Sequence, residues 1–521
     1  MLVFALVKMR KTDHGYIQQC FRGSNLIKGS SRTEISTSSS YSPVPLKIRK
    51  CLPAYPCSMS LLPFAIAGLV RASPIHDEQV REVLAGRDSS LRPLTLGRRE
   101  AAGVQTRHLR PMEVMLKRDS ITPPDVGQIA NFDGQDPEPI RGDAGATFLS
   151  NSNHEIDAQN PDNVAAPTTD AGTVPNLKWS MSLSHTRLLK GGWVREQAIT
   201  DLPPSKDIAA AELRLAPNAY RELHWHRVAE WGYILNGTGR ISAIDDSGRS
   251  YIADIHGPTN GTDPDIYYFP PDVPHSIQAL DEGLEILLIF SDGNFDATGT
   301  TFMLSDWLAR TPLEIVVQNF GVNVSVLANI PQKDPYILES TVPPPPFGHA
   351  QDQAIQDPLG TVPSPYVFHL SDQEKKVAPG GWVKIQDSVT NFGVSSLIAS
   401  ALVYIEPNGM RELHWHTNDE WLYIISGTGR ATAFAGSSSS RTFDFQPGDT
   451  AVFPTSYGHY MKNTSPTEPL IFLELFKASK YVDFSATQWL ALMPTQVVAD
   501  LLGIPNDIVE TFKKEKQIIV A

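Results

Sequence analysis

The chain repeats itself once, and that repeat limits what it can fold into. Gly191-Gly192-Trp193-Val194 returns as Gly380-Gly381-Trp382-Val383, 189 residues later. Arg221-Glu222-Leu223-His224-Trp225-His226 returns as Arg411-Glu412-Leu413-His414-Trp415-His416 after 190 residues, and so does Gly237-Thr238-Gly239-Arg240 as Gly427-Thr428-Gly429-Arg430. Trp307-Leu308-Ala309 returns as Trp489-Leu490-Ala491 after 182, because the first copy carries a longer loop around Asp254–Pro264. A period this long means one domain per copy, not one turn of a solenoid. The sequence therefore divides into a first unit at 177–330, a linker at 331–365, a second unit at 366–510 and a C-terminal tail at 511–521. Pro343-Pro344-Pro345-Pro346 makes the linker semi-rigid.

Each unit reads as β structure. Segments such as Glu230–Leu235, Tyr267–Phe269 and Leu284–Phe290 are short, aromatic or β-branched, and separated by Gly, Pro, Asp and Asn. The 41 prolines and 36 glycines of the chain fit many turns. Helical pattern is confined to the unit ends, near Thr301–Ala309 and Ala486–Leu492. Closing such strands into a barrel removes exposed edges, so the expected fold is all-β, two tandem barrels with short helices at the unit ends.

The N-terminal region has a different character. Residues 1–58 hold nine Lys and Arg against Asp13 and Glu34, a balance of +7 that leaves −20 for residues 59–521 out of the total of −13. An acidic body argues against a nucleic-acid partner. No run of 18 apolar residues exists, so no transmembrane helix is expected. Cys20, Cys51 and Cys57 are the only cysteines, so nothing beyond residue 58 can form a disulfide or a thiolate ligand. From Met59, the apolar run Leu61–Val70 followed by Ala72 reads as a secretory signal at 59–72, with 1–58 a non-structural extension; a basic, Ser-rich transit segment is the alternative. Residues 73–176 read as a propeptide-like segment and arm, with Lys117-Arg118 a possible dibasic cleavage point. The sequons at Asn260 and Asn323 agree with a secreted, extracellular protein.

The chemistry sits on the repeated histidines. Residues i and i+2 of a strand share a face, so His224 and His226 project together while Trp225 packs on the other side. Glu230 follows four residues on, and His275 arrives after the Pro-bearing stretch Phe269–Pro274. The second unit supplies His414, His416, Glu420 and His459 in the same arrangement. Three imidazoles and one carboxylate leave two open positions on an octahedral ion, which suits a labile metal that binds substrate and dioxygen. Without a soft ligand, Mn or Fe is favoured over a closed Zn site. Arg221 and Arg411 lie three residues before the first His, so in a straight strand they face away. A bend there would turn the guanidinium inward, where it can clamp a carboxylate; the alternative is a surface salt bridge.

These segments resemble the bicupin family, and within it the oxalate decarboxylases. His-x-His-x3-Glu-x6-Gly occurs from His224 to Gly237 and from His414 to Gly427. Pro-x4-His occurs from Pro270 to His275 and from Pro454 to His459. The likeness spans about residues 177–510. It implies two tandem cupin barrels (double-stranded β-helix, jelly-roll). It also implies Mn(II), two per chain, dioxygen as co-catalyst, and conversion of oxalate to formate and carbon dioxide. Arg221 and Arg411 would then bind or polarise the small dicarboxylate. A homo-oligomer, trimer or hexamer, is in keeping with the family.

One stretch departs from the pattern. Family members carry a Ser-Glu-Asn-Ser-like lid whose Glu donates the proton. Here it reads Asp296-Ala297-Thr298-Gly299-Thr300-Thr301, without Glu. An Asp-Ala lid resembles bicupin oxalate oxidases, in which the intermediate is oxidised to a second carbon dioxide with formation of hydrogen peroxide. Asp296 can substitute as the acid only if burial raises its pKa. Aligning Phe290 with Phe476 sets Glu474 against Leu288, so the two barrels are not equivalent. Glu474 resembles the second-barrel Glu proposed as an acid in the family; its other role is to orient a neighbouring side chain. Decarboxylase, oxidase and a non-enzymatic metal-binding bicupin are thus the three readings of the sequence.

Overall fold

The computed structural model describes residues 171–521 except Asn260 and residues 351–357. Before them it describes Lys11–Thr12, Gly15–Tyr16, Ile156, Asn160, Ala166–Pro167 and Thr169–Asp170. Residues 1–104 and 105–521 are separate units. In the first, Lys11–Thr12 pairs antiparallel with Gly15–Tyr16. The secretory segment at 59–72, the dibasic pair and the first sequon lie outside the described residues.

Both expected barrels are present in residues 105–521. In the first, two long strands, Glu230–Ile244 and His275–Phe290, run through both faces of the barrel, so its strands join into one 11-stranded sheet. They pair antiparallel in two stretches, Phe290↔Glu230 to Leu284↔Gly237 and Ala279↔Gly239 to His275↔Ala243. The irregularity between these stretches falls at Gly237, whose φ of 78° is in the left-handed region and whose Cβ position is closed by the Gly283 carbonyl. The second barrel keeps two sheets, of seven and six strands. Alternation places Leu213, Ile234, Ile286 and Leu288 in the first interior, and Val403, Ile424, Phe443 and Phe472 in the second.

A third apolar layer joins the barrels. Trp231, Tyr233, Tyr268 and Leu287 of the first pack with Trp421, Tyr423, Leu402 and Leu473 of the second. Buried polar groups in this layer are matched across it: Trp421 Nε1 donates to Gln197 Oε1 at 2.8 Å and the Tyr423 hydroxyl to Glu212 Oε1 at 2.8 Å.

The pairing differs from a simple division by sequence. Lys178–Ser180 pairs with Asp449–Ala451 of the second barrel, while Val367–His369 pairs with Asp265–Tyr267 of the first. Each barrel thus lends a short strand to the other, covering an edge that would otherwise be open. Two segments read as linker and tail also build sheet. Ile337–Leu338 pairs with Tyr220–Arg221, and Ile519–Val520 with Met410–Arg411. At the unit ends, Thr301–Met303 is a strand rather than helix, followed by helices Leu304–Ala309 and Leu313–Phe320. The second unit ends in helices Ala486–Ala491, Thr495–Leu502 and Asn506–Glu510. No helix among the described residues is long and apolar enough to cross a membrane.

Candidate active site

Within the barrels, two clusters of buried ligand-type side chains form: His224, His226, Glu230 and His275, and His414, His416, Glu420 and His459. In each, one ligand atom per residue lies within 4.8 Å of the others. The strand Tyr220–His226 carries the first pair, Glu230 opens the next strand, and His275 stands opposite His224 in the neighbouring strand. The second barrel repeats this, with His459 opposite His414.

Every imidazole is oriented through Nδ1. His224 and His275 bond the carbonyls of Glu222 and Val273 at 2.6 and 2.9 Å, and His226 meets Thr301 Oγ1 at 2.9 Å. In the second barrel the acceptors are the carbonyls of Glu412, Val482 and Tyr457. A carbonyl can only accept, so in the five imidazoles with a carbonyl partner the proton sits on Nδ1 and the Nε2 lone pair turns inward, whereas the Thr301 hydroxyl can take either role towards His226. The Nε2 atoms of His226, His275, His414 and His416 are buried without a hydrogen-bond partner among the described residues. Buried acceptors left so are costly unless something else engages them, and a cation fits that need. Glu230 Oε2 stands 3.0 Å from His226 Nε2 and 3.3 Å from His275 Nε2. An all-N/O set of this kind fits Mn(II).

The sheets also decide where the two arginines point. Pairing shifts register between His275/Ile277 and His224/Arg221, and again between Arg411 and His414. These bulges bring Arg221 and Glu222 both inside and leave Leu223 exposed, so alternation breaks at the position where a straight strand would have turned the arginine out. The two arginines then meet different neighbours. Arg411 donates to Glu474 Oε1 at 3.3 Å, to the Tyr481 hydroxyl at 3.0 Å, to Asp483 Oδ2 at 2.6 Å and to the Ile518 carbonyl at 3.1 Å. Arg221 Nη1 donates to the Tyr336 carbonyl at 3.1 Å and meets Met303 Sδ at 3.3 Å, and its guanidinium stacks 3.6 Å from the Tyr336 ring centre. No carboxylate among the described residues lies within ion-pair distance of Arg221.

The predicted acids fall in different surroundings. Glu474 is buried in the second barrel beside Arg411, with the Tyr481 hydroxyl donating to Oε2 at 2.6 Å. Burial raises its carboxyl and Arg411 opposes that rise. Asp296 is exposed at the rim of the first barrel, where Thr200 Oγ1 donates to Oδ2 at 3.3 Å. It borders an outer cavity of about 830 Å³, whereas it is absent from the lining of the small inner cavity beside His224, His226 and Glu230. Phe295, its neighbour, turns inward instead and stacks on Phe290 at 3.4 Å.

Sequence reasoning passed over four residues that the fold brings to these sites. Tyr267 donates to Glu230 Oε1 at 2.8 Å, and Gly232 on the adjacent strand leaves room for its ring, since a Cβ there would stand 2.2 Å from it. The second barrel has Leu422 and Ala451 at the matching pairing. Tyr336 arrives from the linker, clamped by its amide to Glu222 Oε2 at 3.0 Å. Glu196 lines both cavities of the first barrel. Asp483 anchors Arg411. The available signal was the repeat itself: the carboxylate at 196 faces Ile385 in the second copy, as Glu474 faces Leu288 in the first.

The cupin family matches residues 184–327 and again 368–509. Oxalate decarboxylase OxdC of Bacillus subtilis (strain 168) is 47% identical over 385 residues, which is 74% of this chain and 97% of that protein. A probable oxalate decarboxylase of Arthroderma benhamiae is 46% identical over 383 residues, 72% of this chain and 91% of its own length. The solved structure of oxalate decarboxylase from Bacillus subtilis at pH 4.6 aligns with a TM-score of 0.69 at 47% identity, over 74% of this chain and 98% of that one. A structure of the Bacillus subtilis enzyme studied for its Mn(II) centres aligns with a TM-score of 0.69 at 46% identity, over 74% and 99%. Both halves are matched and nearly the whole of each relative is covered, so the chain belongs to the cupin family and, within it, to the two-barrel oxalate decarboxylases.

Proposed function

We propose that the chain is a Mn(II)-dependent oxalate decarboxylase that converts oxalate to formate and carbon dioxide in its first barrel, with dioxygen as co-catalyst. The observation that carries this reading is Arg221, buried beside the His224, His226, Glu230 and His275 cluster with no carboxylate of its own. A buried guanidinium in that state is a receptor for a carboxylate brought by a ligand. A bound Mn(II) would supply Lewis-acid and one-electron chemistry. Arg221 orients the substrate carboxylate, Tyr267 steadies Glu230, and Leu288, Phe290 and Phe295 exclude water.

The second barrel holds the same four ligand types, which supports two Mn per chain. Arg411, however, is already matched by Glu474 and Asp483, which favours a supporting metal site there. The oxidase reading rests on the Asp296–Thr301 stretch alone, whereas the relatives matched over nearly their full length are named decarboxylases. Exposed Trp489, Val497 and Leu501 at the end helices suit contact between copies in a homo-oligomer. Secretion from Met59 completes the proposal; N-terminal sequencing of the natural protein tests it, and recovery of a form starting near Met1 would overturn it.

One assay tests the activity: Mn-loaded protein with oxalate, measuring formate and hydrogen peroxide together. Formate without peroxide is the expected result. Stoichiometric peroxide with no formate would show an oxidase. No product with both metals bound would overturn the oxalate reading in favour of a binding protein or another carboxylate substrate.

A further inference from the structure

Glu196 lies on the strand Gly192–Gln197, two residues from Val194. Side chains two apart on a strand share a face, and Val194 belongs to the interior cluster of the first barrel. Arg195 and Gln197 point the other way, where Arg195 pairs with Glu212 and Gln197 with Trp421. Glu196 is therefore a carboxylate aimed into a barrel interior. Its register partner is Ala211, too small to cover it. Glu196, Phe295 and Tyr336 line both the inner cavity at the metal-type ligands and the larger outer cavity. They form the neck between the two.

The matching position in the second barrel, 189 residues later, is Ile385, which packs on that barrel's core. Conversely, the second barrel has Glu474 where the first has Leu288. Beyond the glutamate of its cluster, each barrel thus carries a wall carboxylate that the other lacks at the matching position, Glu196 in the first and Glu474 in the second. Glu474 is held in an ion pair with Arg411 at 3.3 Å. Glu196 forms no ion pair within 4.0 Å among the described residues, although Arg221 lines the same inner cavity. The charged and titratable groups facing it are Arg221, Arg187, Asp296 and the Tyr336 hydroxyl.

We infer that Glu196 is the proton donor of the first-barrel site, in the role for which the Asp296–Thr301 stretch carries no glutamate. This rests on the proposed decarboxylation. The reaction is balanced as hydrogen oxalate giving formate and carbon dioxide. The C–C bond breaks, its electron pair ends on the carbon that becomes formate, and that carbon takes a proton from the Glu196 carboxyl. The carboxylate recovers its proton from the next hydrogen oxalate or from water in the outer cavity, and no net electron is exchanged.

Burial already pushes the Glu196 carboxyl above the ordinary range; Arg221 and Arg187 draw it back and Asp296 pushes it up. A substrate carboxylate on Arg221 neutralises the nearest opposing charge and adds a like one. Both changes favour the protonated acid at the moment it is needed. Asp296, exposed at the rim, lacks that environment.

The test uses full-length, Mn-loaded protein carrying Glu196→Gln or Glu196→Asp, in the same formate and peroxide assay. Glu196→Gln should lower kcat for formate by about 100-fold or more. KM and Mn content should be little changed, and kcat of the unmodified protein should fall at high pH as Glu196 loses its proton, a fall that Glu196→Gln should lack. The peroxide share should rise, because the intermediate is then oxidised: oxalate loses two electrons to dioxygen, which takes two protons as hydrogen peroxide and leaves two molecules of carbon dioxide. Glu196→Asp should recover part of the formate rate. If Glu196→Gln makes formate within about 3-fold of the unmodified rate, the inference falls. It also falls if both variants lose Mn, because Glu196 then supports the cluster instead. Failure of the unmodified protein to make formate removes the underlying reading itself, a result separable from these by the unmodified control.

Discussion

Arg411 and Glu474 face each other inside the second barrel, Nε to Oε1 at 3.3 Å, and both are buried. At the corresponding place in the first barrel, Arg221 faces Leu288 across the inner cavity. Two differences in a repeated wall, Leu288 against Glu474 and Thr301 against Asp483, thus decide whether a buried guanidinium is already matched or still able to take a carboxylate.

Arg221→Ala should therefore act on the substrate and spare the metal. Charge-assisted hydrogen bonds from a guanidinium to a carboxylate contribute about 3 kcal/mol, so kcat/KM should fall on the order of 100-fold. Mn stoichiometry should stay at two per chain. Steady-state kinetics with metal analysis checks this; unchanged turnover would show that the first barrel does not carry the reaction.

Glu474→Gln should act on stability. It leaves Arg411 with Asp483 at 2.6 Å and the more distant Glu412 at 4.0 Å, and breaking a buried pair costs about 3 kcal/mol. Thermal unfolding should move down by several degrees. An unaltered Tm would show that Asp483 and the Tyr481 hydroxyl suffice for Arg411.

Tyr267→Phe removes the donor to Glu230 Oε1 and nothing comparable in the second barrel. Loss of such an orienting bond typically weakens metal affinity about 10- to 100-fold. Mn titration followed by EPR should show one site weakened and the other unchanged. Gly232→Ala should disturb the same site by displacing the Tyr267 ring.

Acid should loosen the second barrel through Asp483. Burial pushes this carboxyl up, but Arg411 and Lys516 outweigh that and hold it at about 2. Its folded pKa lies below its unfolded value, so its contribution is present above about pH 4 and is lost as pH falls towards 2. The contribution is on the order of 2 kcal/mol. Tm measured from pH 6 to pH 2.5 should fall more steeply for the unmodified protein than for Asp483→Asn; parallel curves would exclude the linkage.

The sequence alone determined what local periodicity can carry. His-x-His on a strand, a Glu four residues on and a third His after a Pro-bearing turn name all eight residues of the two clusters, and the paired histidines project together because i and i+2 share a face wherever the strand lies. The long repeat likewise implies two barrels. Tertiary structure decided the rest. The bulges that turn Arg221 and Arg411 inward depend on pairing with a distant strand. Tyr336 and Ile518 reach the arginines from segments that look like linker and tail, because their backbone completes an edge of each barrel. The exchanged strands Lys178–Ser180 and Val367–His369 find partners in the other barrel. None of these has a periodic signature, since each is a contact between residues far apart in the chain. They turn both arginines towards matching sets of ligand-type residues, and there the differing wall residues, Leu288 against Glu474 and Thr301 against Asp483, leave the guanidinium without a carboxylate in the first barrel only.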